Sequence, residues 1–242
     1  MGQSIRILTA NLWNGGADPE AFADLVTALA VDAVCVQELT PEQADALGRV
    51  MPHGELDPND SFTGMGIALR RPAKLHRVPL ECRDVRVAML DPSDWSVLSA
   101  PLELANLHMA APHTFRPKLG LGLRVKQMRD LVPWLSRAGA PAQRVLVGDF
   151  NATPVWPVYR RIASVLSDAA LMVARRRGER PRNTWGPWAG SPRLLRIDHA
   201  MVEGVGVEDL QVVHVPGSDH SAVVVDVTSG GAEAVDAAEA RR

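Results

Sequence analysis

Short polar segments follow directly on apolar runs at several points along this chain. They are Asn11-Leu12-Trp13-Asn14, Gln37-Glu38, His108, Gly148-Asp149-Phe150-Asn151, Arg196-Ile197-Asp198-His199 and Ser218-Asp219-His220. Carboxylates, amides and imidazoles gathered in one place suit a hard divalent cation and a phosphoryl group, and oxygen ligands select magnesium, manganese or calcium over zinc. Attack on a phosphoester builds negative charge on its oxygens, which a cation, an imidazolium and amide donors stabilise. Water is a poor nucleophile at neutral pH and needs a carboxylate or a metal to activate it. An Asp–His pair holds the ring in one tautomer and favours its cationic form. The sequence contains neither a G-x-S-x-G elbow nor a Walker-type loop, so direct attack by water is expected in place of a covalent intermediate.

Each of these residues also has a plain structural reading. Asn11 could cap a turn, Glu38 could be a solvated charge at a strand end, and Asp149 to Asn151 could form an Asx turn. Asp198 could pair with Arg196 or Arg193, His108 could be a satisfied core histidine, and Asp219 could cap the segment after it. Their ordered recurrence at the ends of apolar segments is what favours a site, because strand ends in α/β proteins converge on one rim where ligands bind.

The elements that must position them are read from periodicity. Residues 5–10, 31–36, 66–69, 85–90, 102–107, 144–147, 197–202, 210–215 and 222–227 read as strands. Helices are expected over 19–30, with Phe22, Leu25, Val26 and Leu29 on one face, over 41–50, and over 124–137, where Val125, Met128, Leu131 and Leu135 share a face. So many strands exceed the needs of one doubly wound sheet, and two packed sheets with helices outside is the economical arrangement. No repeat or internal linker divides the chain. The expectation is one domain over 1–227 and a disordered or frayed tail over 228–242, where the sequence turns small and polar.

The chain has 242 residues, enough for a substantial core, and its 46% hydrophobic and 22% charged content is that of a globular protein. No apolar run approaches a membrane span and the first residues lack the greasy core of a signal peptide, so a cytoplasmic location is expected. The formal net charge of -2 provides no global field toward nucleic acid. Cys35 and Cys82 have no metal-knuckle spacing, and Cys35 reads as a buried structural thiol.

The order of motifs, N-x-W at Asn11 to Trp13, QE at Gln37-Glu38, G-D-F-N at Gly148 to Asn151, I-D-H at Ile197 to His199 and S-D-H at Ser218 to His220, resembles the endonuclease/exonuclease/phosphatase superfamily, and within it a bacterial branch. The resemblance implies a four-layer α/β sandwich of two packed mixed β-sheets flanked by helices, and a hydrolase dependent on Mg2+ or Mn2+. It implies that Glu38 is the principal metal carboxylate, supported by Asn11, Asp149 and Asp219. Asp149 would orient or deprotonate the attacking water, Asn151 would contact phosphate oxygens, and His220, its ring fixed by Asp198, would stabilise the phosphoryl group. His108, in His-Met-Ala-Ala-Pro, resembles a histidine that takes part in proton transfer in pancreatic-type deoxyribonuclease.

Substrate choice is less legible. Arg116, Lys118 and Arg124 follow His108 and are candidates for a phosphate clamp, and Arg124 with Gln127 resembles an R-x-x-Q helix start of the family. The run from Arg175 to Arg182, followed by Trp185 and Trp188, could hold a nucleic-acid backbone, sit on lipid headgroups or be a solvated helix end. The roles of His113 and His199 stay open. A small or lipid-linked phosphoester is the favoured substrate, nucleic acid the alternative, and a non-catalytic binding protein the third reading. No protein partner is implied.

Overall fold

The computed structural model describes residues 4–112 and 117–230, with residues 117 and 118 described by backbone alone. Two six-stranded mixed sheets form its centre. In the first, the order is β11 (Val205–His214), β12 (Ser221–Ser229), β1 (Ile5–Asn11), β2 (Ala33–Gln37), β4 (Met65–Leu69) and β3 (His53–Asp57). In the second, it is β5 (Lys74–Leu80), β6 (Arg83–Leu90), β7 (Leu102–His108), β8 (Gln143–Asp149), β10 (Asp198–Glu203) and β9 (Ser167–Asp168). The helices are α1 (Pro19–Ala28), α2 (Pro41–Val50), α3 (Pro117–Leu135), α4 (Pro157–Ala163) and α5 (Ala169–Arg177).

The central strands are nearly continuous apolar runs because both their faces are covered. Ile5, Ile7, Cys35 and Ile67 of the first sheet meet Ala88, Leu104, Val145 and Val147 of the second in a dry inter-sheet core. The alternate residues Leu8, Ala10, Val34 and Val36 face outward onto Phe22 and Val26 of α1 and Ala44 and Leu47 of α2. On the far side, Ala105, Leu107 and Leu146 meet Leu131 and Leu135 of α3 and Ile162 of α4. The result is the four-layer sandwich expected. Helix starts follow local chemistry: Asp18 accepts from the Ala21 amide at 2.8 Å with Pro19 in the first turn, and Gln43 closes a capping box on the Thr40 amide.

Polar pins lock the two sheets in register close to the site end. Buried Gln37 donates to Thr9 Oγ1 at 3.0 Å and to Asn106 Oδ1 at 2.6 Å. Asn106 in turn donates to the carbonyls of Val36 and Gly66, both at 2.9 Å. Gln37, half of the QE motif, is therefore a tie between sheets.

The observed elements depart from expectation where tertiary contacts decide. The third helix begins at Pro117 and not at 124, because its glycine-containing first turns lie against the preceding segment: a Cβ on Gly120 would stand 2.6 Å from the Pro112 carbonyl oxygen. β3 and β5 are polar edge strands held by cross-sheet ion pairs, such as Arg86 to Asp57 at 2.6 Å, and α4 and α5 are short segments without a long period. β12 runs to Ser229, past residue 227, and 231–242 lie outside the described residues. Cys35 is buried and both cysteines are free.

Candidate active site

Strand register gathers the polar segments at one edge of the sandwich. β1 and β2 run parallel with Asn11 beside Gln37, so Glu38 follows next to Asn11. β7 and β8 run parallel with His108 beside Asp149, and β10 runs antiparallel to β8 with Asp198 beside Asp149. Ser218 brings the last segment in by donating to the Asn11 carbonyl at 2.8 Å, and its hydroxyl accepts from the His220 amide at 3.0 Å.

The side chains converge on one point. Asn11 Nδ2 donates to Glu38 Oε1 at 3.0 Å and to Asp149 Oδ2 at 3.1 Å. Asp149 also accepts from the Asn151 amide at 2.7 Å and from Asn151 Nδ2 at 3.0 Å. Asp198 Oδ2 lies 2.9 Å from His220 Nδ1, leaving Nε2 facing Asp149 Oδ2 at 4.0 Å and Asp219 Oδ1 at 3.9 Å. His108 Nε2 stands 3.7 Å from Glu38 Oε1 and 3.8 Å from Asp149 Oδ2. Glu38 and Asn151 both adopt left-handed backbone, φ 55° and 48°, a conformation that costs a non-glycine residue about 1–3 kcal/mol and that clusters where geometry matters more than stability.

Burial sets the charge states. It raises the proton affinity of Asp149 to about 7, with the Asp198 charge adding to it. Burial likewise raises Glu38 and Asp219 above the usual carboxylate range. For His220 burial acts downward, but Asp198, Asp149 and Asp219 outweigh it and lift the imidazole to about 9, so it is an imidazolium at neutral pH. His108 is fully buried beside Arg83 and His220, and burial first and those cations second push it well below its ordinary value.

Arg83 was not singled out by sequence, since Cys82-Arg83-Asp84 forms no motif. It belongs to β6, antiparallel to β7 with Arg86 beside Asn106, so the first residue of β6 reaches the level of His108. Its Nη1 contacts His108 Nδ1. A guanidinium can only donate, so Nδ1 is the acceptor and the imidazole proton sits on Nε2, facing the carboxylates. Arg83→Met is expected to lower turnover roughly ten- to a hundred-fold by freeing that ring, with Arg83→Lys intermediate. Wild-type kcat in the Met variant would show that the contact has no catalytic consequence.

A divalent cation fits this donor set. Half-buried Glu38 and buried Asp149 share the Asn11 amide as donor, and Asp219 Oδ1 is buried without a hydrogen-bond partner. Its other oxygen accepts from Trp185 Nε1 at 2.9 Å. Donor atoms of Asp149, Asp198 and His220 also lie within 4.8 Å of one another. In that trio, however, Asp198 is engaged by an imidazolium that has no lone pair to give.

Other positions sort by contact. Asp198 pairs with His220, whereas Arg196 pairs with Asp168 at 2.7 Å. Arg193 donates to the Ser218 carbonyl at 3.1 Å and the His220 carbonyl at 3.2 Å, bracing the final loop. Arg124 is buried, donating to the Ala110 carbonyl at 2.5 Å beside the Trp156 ring, which makes it a support of the His108 loop. Arg116, His113 and the side chain of Lys118 lie outside the described residues. In the basic run, Arg176 and Arg177 are tied to Glu208 and Asp209 of β11.

His199 is buried with Nε2 2.8 Å from the Ala152 carbonyl and packs on Phe150 and Tyr159. Burial, with Arg196 second, lowers it from 6.5 to about 4. Between those values the unfolded chain binds a proton that the folded one refuses, so this group's share of stability is full above pH 6.5 and falls with acid. The loss amounts to roughly 3 kcal/mol across the window. Asp149 and His220 titrate as well, so the quantity to read is the difference in urea stability between wild type and His199→Gln at pH 7.5 and 4.5. A difference independent of pH would contradict the assignment.

Fold and site together define a metal-assisted phosphoester hydrolase. The sequence model of the Endonuclease/Exonuclease/phosphatase family matches residues 8–220, and the chain belongs to that family. Among curated proteins none matches it significantly. Solved structures share the fold at low identity. An endonuclease/exonuclease/phosphatase from Beutenbergia cavernae is 19% identical, with a TM-score of 0.68 over 95% of this chain and 72% of that one. D. rerio TDP2 complexed with single-strand DNA product is 17% identical, with a TM-score of 0.67 over 94% and 100%. The human Nocturnin catalytic domain with bound sulfate anion is 19% identical, with a TM-score of 0.64 over 93% and 94%.

Proposed function

We propose that this chain hydrolyses a small or lipid-linked phosphoester with Mg2+ or Mn2+, by direct attack of water. The observation that carries this reading is the convergence of the His220–Asp198 pair, Asp149 and the Asn11–Glu38 pair on one point at the strand ends. Asn11, Glu38, Asp149 and Asp219 would hold the cation, which when bound supplies Lewis-acid polarisation of the phosphoryl oxygens. Asp149, held by three donors and with a proton affinity near neutrality, orients the water and accepts its proton. His220 presents a charged N–H to the phosphoryl oxygens, and Asp198 fixes its ring. Neutral His108 offers Nε2–H beside Glu38 and Asp149, and Asn151, donating to Asp149 and to the Met109 carbonyl, stands at the same point to contact phosphate oxygens when they arrive.

The small-ester reading rests on the -2 net charge and on the engagement of Arg176 and Arg177 of the basic run in structural contacts. A nuclease is the second reading, favoured by an open groove lined by Arg180, Arg182 and Arg193 and by the similarity to a protein solved with single-strand DNA product. Hydrolysis of bis-p-nitrophenyl phosphate, p-nitrophenyl phosphate, plasmid DNA and a lipid pyrophosphate, each with magnesium, manganese or EDTA, separates them. DNA cleavage should fall steeply with salt, whereas turnover of a small ester should not. DNA as the preferred substrate would overturn the first reading. For the cation, Glu38→Gln should raise the magnesium concentration for half-maximal activity at least roughly ten-fold; an unchanged titration would remove Glu38 from the metal set.

A further inference from the structure

The exposed large apolar side chains are not scattered. Among the described residues they fall on segments that adjoin site residues in the chain or bond to their neighbours. Trp13 comes two residues after Asn11. Phe62, 56% exposed, belongs to the loop between β3 and β4, which bonds Leu39 on both sides and so sits against Glu38. Leu119, Leu121 and Val125 occupy the first turns of α3, which lean on the segment after His108. Val155 follows Asn151 by four residues. Trp188, 61% exposed, and Leu194, 58% exposed, lie with Leu195 on the loop that Trp185 anchors to Asp219.

An apolar ring around a polar site is costly in water unless something covers it during function. Two features identify the cover. Most of the ring is aliphatic, and leucine and valine offer no flat face for stacking bases, which single-stranded nucleic acid would require. Alongside the Trp188 loop runs an open groove of about 830 Å³ lined by Arg180, Arg182, Arg193, His214 and neutral residues, with no carboxylate among its lining. A tryptophan and aliphatic side chains beside Arg180 and Arg182 match the interface of a bilayer carrying anionic headgroups. No helix among the described residues is long and apolar enough to cross a membrane, so contact of this kind is at the surface.

We infer that the rim of the active site docks on an anionic phospholipid bilayer, with Trp188 and Leu194 entering the interface and Arg180 and Arg182 meeting lipid phosphates, so that the catalytic mouth faces headgroups. This rests on the small or lipid-linked ester reading given above, and it adds where the substrate is met.

The test separates docking from turnover. The full chain is sedimented with phosphatidylcholine vesicles containing or lacking phosphatidylglycerol, and hydrolysis of a monomeric water-soluble phosphodiester is measured in parallel. Binding is expected to the anionic vesicles and to weaken with salt. Trp188→Ala/Leu194→Ala should reduce the partition constant roughly ten-fold or more, and Arg180→Gln/Arg182→Gln by a similar factor on anionic vesicles alone. Both variants should hydrolyse the soluble ester at the wild-type rate, which also reports that they are folded. Soluble-ester turnover without binding to either vesicle would overturn the docking and leave the hydrolase reading standing. Vesicle binding lost in these variants, in a protein that cleaves no ester, would support the docking and overturn the hydrolase reading. Tight binding of a single-stranded oligonucleotide that the Trp188→Ala/Leu194→Ala change abolishes, with no vesicle binding, would assign the rim to nucleic acid instead.

Discussion

His220→Ala should turn over a phosphodiester at roughly a thousandth of the wild-type rate or less, a loss of about 4 kcal/mol in transition-state stabilisation. The imidazolium exists because Asp198 holds Nδ1 at 2.9 Å and because Asp149 and Asp219 add negative potential around Nε2. Its hydrogen bond therefore strengthens as charge builds on the phosphoryl oxygens, and its removal should act on kcat more than on KM. Asp198→Asn keeps a polar group of the same shape but frees the ring and removes the charge that favours its protonation. It should lose a large part of the same factor, and the double variant His220→Ala/Asp198→Asn should be little worse than His220→Ala, because the two act as a unit. Steady-state kinetics on bis-p-nitrophenyl phosphate, with circular dichroism to confirm folding, reads this directly. A His220→Ala rate within ten-fold of wild type would remove the pair from the chemistry.

Asp149→Ala should cost roughly 10³- to 10⁴-fold in kcat. Asp149 meets Asn11 Nδ2, the Asn151 amide and Asn151 Nδ2, so its carboxylate is aimed by contacts from both sheets. Burial raises its proton affinity in the cation-free chain, and its position suits it to take the proton of the attacking water. The alanine variant leaves Asn11 and Asn151 without that acceptor, so some loss of thermal stability accompanies the loss of rate. The diagnostic is the ratio: kcat should fall by orders of magnitude in a protein that still melts cooperatively. A cooperative melt with near-wild-type kcat would show that another group activates the water.

The two losses test different halves of the convergence. His220 arrives on the loop before β12 and Asp149 at the end of β8, in different sheets. Their effects share a cause only if the sheets are held in the register that the Gln37–Asn106 pins impose.

The sequence by itself determined the class of fold and which groups are candidates for the site. Apolar-rich runs such as residues 5–10 and 144–147 read as strands, and so many of them favour two packed sheets. Asn11, Glu38, His108 and Asp149 were legible as candidates because each ends or follows an expected strand, whereas Asp198 and His220 stand at the start of β10 and just before β12 and were marked by the I-D-H and S-D-H motifs. Polar edge strands β3 and β5 and the start of α3 were not legible, since their stability comes from partners far away in sequence and not from a period of their own. Arg83 was invisible for the same reason: nothing near residue 83 marks it, and only the antiparallel register of β6 on β7 carries it to His108. The tertiary structure alone decided that Arg196 serves Asp168, leaving Asp198 to His220, and that Arg124 is spent on backbone carbonyls. Local sequence sets which groups are present and which elements carry them. Which group faces which is set by tertiary pairing, at separations from 22 residues for His220 and Asp198 to 207 for Ser218 and Asn11, because a charge taken out of water must find its partner wherever packing brings one.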